Sequence, residues 1–82
     1  MKKEVLIEKA NQLYKDVVAK YPRILGWQLR ILEDISQIEI IPVQADFIGI
    51  DFINWVKEKA RGYGFVFFGI DIKRVALLFS AF

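Results

Sequence analysis

A chain of 82 residues, 55% apolar and 15% aromatic with a formal net charge of +2, holds material for one compact domain and has no strong pull toward polyanions. Histidine and cysteine are both missing, which excludes disulfides, thiolate nucleophiles, iron–sulfur ligation, His- or Cys-bound zinc and histidine acid–base chemistry. Threonine is absent too, and Ser36 and Ser80 are the only serines, so a hydroxyl nucleophile would have lysine as its one plausible base.

The first element reads as an amphipathic helix from Lys2 to Tyr21. Leu6, Ala10, Leu13, Val17 and Tyr21 recur at helical spacing, Tyr14 and Val18 widen the stripe, and charges take the opposite side. Tyr21-Pro22 ends it, because proline disfavours helical geometry in the residue before it. Residues 23–36 fit two patterns. Trp27, Leu29 and Ile31 alternate as in a half-buried strand, while Leu25, Leu29, Leu32 and Ile35 also share a helix face; Gly26 tips the choice to strand. The β-branched run Ile38–Val43 is a strand whose end or edge is marked by Pro42. A helix over Asp51–Arg61 follows, with Asp51 as its cap, Phe52, Trp55 and Val56 as its apolar face and Gly62 as its terminator. Phe65–Ile70 is almost wholly apolar, as in a strand covered on both faces.

The tail from Ile72 to Phe82 fits a strand completing a hairpin or a helix capped by Asp71. An internal echo favours the helix: Phe47-Ile48-Gly49-Ile50-Asp51-Phe52 resembles Phe67-Phe68-Gly69-Ile70-Asp71-Ile72. These elements predict a single α+β domain over residues 1–82. It has an N-terminal amphipathic helix, a small mixed sheet of three to four strands around a central βαβ unit, and a C-terminal segment that is strand or helix.

One sequence motif carries binding chemistry. Arg61-Gly62-Tyr63-Gly64-Phe65-Val66-Phe67-Phe68 fits the RNP1 octapeptide and so resembles the RNA-recognition motif family over these eight positions. The resemblance implies a strand with Arg61, Tyr63 and Phe65 on one face, a cation for phosphate and two rings for bases, with Val66 and Phe68 pointing into the core. Lys57, Lys59 and Arg61 would then form the basic side of a nucleic-acid groove. The plainer reading, and the favoured one, is a Gly-Tyr-Gly turn from a helix into a buried strand, with those cations as a solvated rim. The two Gly-Ile-Asp sequences resemble the first strand of ribonuclease-H-like and actin-like folds, which implies metal-binding carboxylates at Asp51 and Asp71. Helix capping accounts for both residues more simply, so no metal and no cofactor is expected.

Area scaling makes the apolar content itself informative. A chain of this mass exposes roughly 5,100 Å² folded against about 13,900 Å² unfolded, hiding only about 63% of its surface. That leaves apolar side chains over, and every phenylalanine lies between Phe47 and Phe82. The expectation is therefore a non-enzymatic interaction or regulatory protein. It would form a homo-oligomer and bind another protein through the aromatic-rich C-terminal half, with Trp55, Phe79 and Phe82 as anchors. Single-stranded RNA or DNA binding is the alternative. Charges interrupt the apolar runs near the N-terminus, and no run approaches the roughly 20 residues of a spanning helix, so a cytoplasmic protein is expected.

Overall fold

The computed structural model describes residues 1–82 and is an α+β domain of two helices and one four-stranded sheet. Helix α1 spans Lys3–Lys20, strand β1 Gln28–Leu32, strand β2 Gln37–Ile41, helix α2 Ile50–Gly62, strand β3 Phe65–Asp71 and strand β4 Ala76–Ala81. A single 3-10 turn, Glu33–Ile35, joins β1 to β2. The strands lie in the order β1-β2-β4-β3, and every neighbouring pair is antiparallel.

The expected strand–helix–strand unit is present as β2-α2-β3, whose strands run parallel. However, β4 inserts between them, so the sheet is antiparallel throughout rather than mixed. The C-terminal segment is a strand and not a second capped helix. As the partner of both β2 and β3 it places Leu77 and Phe79 in the core, and pairing on two sides outweighs a local helical pattern. The Gly-Ile-Asp echo accordingly has two outcomes. Gly49 is the N-cap residue of α2, whereas Phe68 and Gly69 together oppose Leu78 as a bulge.

Both Asp caps also fall elsewhere. Asp51 lies inside the first turn of α2 and caps nothing, while Asp71 closes the β3–β4 turn by accepting the Lys73 backbone N–H at 3.1 Å. Helix α2 runs through Gly62, and the left-handed residue that releases it is Gly64 at φ +92°.

Strand periodicity assigns the two faces. Leu29, Ile31, Ile38, Ile40, Leu77, Phe79, Phe65 and Phe67 face the helices, where they meet Leu6, Leu13 and Val17 of α1 and Phe52, Val56 and Ala60 of α2. Phe47, in the segment after β2, packs 4.5 Å from the Tyr21 ring and 5.2 Å from that of Phe52, closing one end of this core. Only 16 of 82 residues are buried and 5196 Å² remains accessible, in line with the size scaling. No element covers the other face of the sheet.

Candidate protein-binding surface

Four strands cross the uncovered face in register. One row runs Arg30, Glu39, Leu78 and Gly69; the next runs Leu32, Gln37, Ser80 and Val66. Its β1–β2 side is polar and internally satisfied. Glu39, only 6% exposed, accepts a bond from Arg30 Nη1 at 2.9 Å and a two-pronged pair from Arg74 Nη1 and Nη2, both at 2.9 Å. Arg74 Nε in turn donates to Asp71 Oδ2 at 2.7 Å. The Arg74 hydrogen bonds hold the carboxyls of Glu39 and Asp71 below their ordinary range, and the two carboxylates raise the guanidinium.

Away from the Asp71–Arg74 turn, toward Val66 and Phe68, the β3–β4 side is apolar and has no such partners. Val66 is 46% and Phe68 50% exposed, with half-buried Leu78 between them and the polar rows. Beside β3 an open groove of about 420 Å³ is lined by Lys57, Arg61, Val66, Phe67 and Phe82, the last 70% exposed.

The residues expected from sequence scatter around this surface. Phe82 lies on it. Trp55 is half-buried on the far side of α2, with Lys20 Nζ 4.6 Å from its ring centroid. Phe79 is fully buried and cannot anchor a partner; it faces Phe67 and Ile38 in the core because β4 is a central strand.

The RNP1-like stretch forms no stacking platform. Arg61 lies in the last turn of α2, Tyr63 sits in the turn and β3 begins only at Phe65, so the three do not share a strand face. Phe65 is fully buried, and the parity is the reverse of the expected one, with Val66 and Phe68 outward. Tyr63 donates its hydroxyl proton to Asp16 of α1, which raises its own pKa and ties the end of α2 to α1; Lys59 stands 3.9 Å from the same carboxylate. Lys57 and Arg61 remain exposed and form no ion pair.

Asp71 has both oxygens occupied by its own turn, and no cluster of three acidic side chains comes together that could hold a metal. No helix is long and apolar enough to cross a membrane. The chain matches no protein-family model, no curated protein and no solved structure, so geometry alone bears on its role.

Sequence reasoning missed Val66 and Phe68. The signal that could have found them is Gly64. A left-handed release at Gly64 starts the strand at Phe65, and alternation against Phe65 in the core then sends Val66 outward.

Proposed function

We propose that the protein is a non-enzymatic interaction module, which self-associates and binds another protein through the uncovered β3–β4 side of its sheet. The observation that carries this reading is the exposure of Val66 and Phe68 on a sheet face that no element of the chain covers. A large aromatic side chain left in water contributes nothing to stability, while docked in a partner it contributes on the order of 2 kcal/mol. The polar half of the face, with its ions already paired, frames this patch as a polar rim frames an interface core.

Sedimentation at micromolar concentration and binding of a hydrophobic dye test the reading together. The expected result is a concentration-dependent dimer or higher species and dye fluorescence, both lost in Phe68→Ser. A strict monomer that binds no dye would sink it.

A further inference from the structure

One end of the sheet carries apolar surface that the core does not use. Strand register brings together there the segment before β1, the segment after β2 and the turn from β3 into β4. The rings of Tyr21, Trp27, Phe47 and Phe52 form a floor beneath them, with neighbouring centroids 4.5 to 5.7 Å apart. That floor ties the end of α1 to the first turn of α2.

Aliphatic tips stand above this floor. Leu25 is 79%, Val43 65%, Ile50 72% and Ile72 87% exposed, four of the five most exposed large apolar side chains of the molecule. Each comes from a different segment. Val43 Cγ2 fills the space that a Cβ on Gly26 would need, which joins the Leu25 segment to the one after β2. Across the same end, Ala45, Ile48, Ile70, Ile72 and Val75 line an open groove of about 220 Å³ without a polar side chain. Single exposed aliphatics are ordinary, but four gathered at one end, on connections that usually carry polar residues, are not.

The charges around the tips are few and form no ion pairs. Lys20, Arg23 and Lys73 against Asp46 and Asp51 leave a balance of +1, and Arg74 and Asp71 in the same turn neutralise each other. Two features favour hydrocarbon over a protein as the cover. Such high exposures belong to side chains that project singly, without the pockets or the aromatic and arginine anchors of a protein interface. A peptide in the groove would also bury its amides against walls that hold no donor or acceptor side chain, whereas an acyl chain has no polar group to satisfy.

We propose that this end of the protein docks on a phospholipid surface, with Leu25, Val43, Ile50 and Ile72 inserted among the acyl chains just below the headgroups. Arg23 and Lys73 lie at the level of the phosphates. The loop backbone stays in the headgroup layer, because unpaired amides are costly in hydrocarbon, so penetration is about 5–10 Å. The contact is peripheral, uses a surface other than Val66 and Phe68, and does not depend on the interaction-module reading.

The test is co-sedimentation of the full chain with vesicles of phosphatidylcholine alone and of phosphatidylcholine mixed with phosphatidylserine. Binding to both is expected, roughly fivefold tighter with phosphatidylserine, as one net charge at the surface gives. Leu25→Ser and Ile72→Ser remove exposed atoms only; each should unfold at the wild-type midpoint and weaken partitioning roughly tenfold. Ile35→Ser, at an exposed aliphatic on the opposite end, should change nothing. In phosphatidylcholine bicelles carrying a lipid-bound paramagnetic label, the methyl signals of Leu25, Val43, Ile50 and Ile72 should broaden and those of Ile35 and Val66 should not.

Absence of vesicle binding overturns the proposal, as does partitioning that survives both serine substitutions or broadening that falls on Val66 instead. Binding that requires phosphatidylserine and vanishes with added salt also counts against it, because charge and not the aliphatic tips would then hold the surface. A dimer lost in Ile72→Ser, without vesicle binding, would assign this end to a second copy of the chain and sink the lipid contact. Self-association lost in Phe68→Ser bears on the sheet face alone, so either reading can fail without the other.

Discussion

The two halves of the uncovered sheet face are built on the same strands, yet they solve the problem of facing water in opposite ways. On the β1–β2 side, a nearly buried carboxylate is enclosed by two arginines and linked through Arg74 to Asp71, so each charge has its partner within the chain. On the β3–β4 side, Val66 and Phe68 stand in water on the edge strand β3, with no element of the chain over them. Side chains completed by their neighbours hold a fold together, whereas those with nothing to complete them leave apolar surface in water, the feature on which the proposed docking rests.

The contrast is steepest between two phenylalanines three residues apart on β3. Phe65 is fully buried in the core and Phe68 is half exposed on the open face. Phe65→Ala should cost about 3–5 kcal/mol through lost burial and the cavity left behind, whereas Phe68→Ala should stay within about 0.5 kcal/mol. Urea unfolding midpoints measured side by side check this. Similar losses at the two positions would place both rings in the core and erase the apolar half of the comparison.

The polar half is tested by Glu39→Gln. Removing the charge weakens three hydrogen bonds at once, but the two arginines are roughly half exposed and recover hydration, so the expected loss is about 1–2 kcal/mol. The pH dependence follows from the depressed carboxyls. Glu39 and Asp71 bind fewer protons folded than unfolded, so their contribution is present above the unfolded values near about 4 and fades as pH falls through the lower folded values. Unfolding midpoints measured from about pH 6 downward should therefore drop, and drop less in Glu39→Gln. Parallel curves would mean that Glu39 titrates alike in both states.

The ease with which sequence discloses these features tracks how local their causes are. Helix α1 is legible because Leu6, Ala10, Leu13 and Val17 repeat over about three turns and Pro22 stops the chain; all four are buried. Strands β2 and β3 are legible from β-branched and aromatic runs. The form of the C-terminal segment is not, since Val75–Phe79 suits helix and strand equally and only the vacancy between β2 and β3 decides it. The site was half legible. Composition points to leftover apolar surface in the C-terminal half, and Phe82 is exposed there, but Leu25, Ile35 and Val43 are exposed as well, so the surplus is spread along the chain. Which phenylalanines are exposed depends on where β3 begins, and a shift of one residue exchanges the faces, so Phe79 and Phe65 fall inside and Phe68 outside.

The smallest expected effect tests whether the polar half shapes the backbone as well as its own charges. Val75 adopts φ +54°, a left-handed conformation that a β-branched residue strongly resists, in the turn that joins β3 to β4. Its neighbour Arg74 is held at both ends, by Glu39 across the sheet and by Asp71 at the turn's start. Those bonds fix the path of the chain through Val75 and keep the strain in place. Val75→Asn, which tolerates this geometry, should therefore raise stability by up to about 1 kcal/mol. In the Glu39→Gln background the turn is freer to relax, so the same substitution should yield less. A double-mutant cycle of unfolding midpoints reads the difference as a coupling between the two sites. Full additivity would show that the strain at Val75 comes from the turn alone and that the ion network merely rests against it.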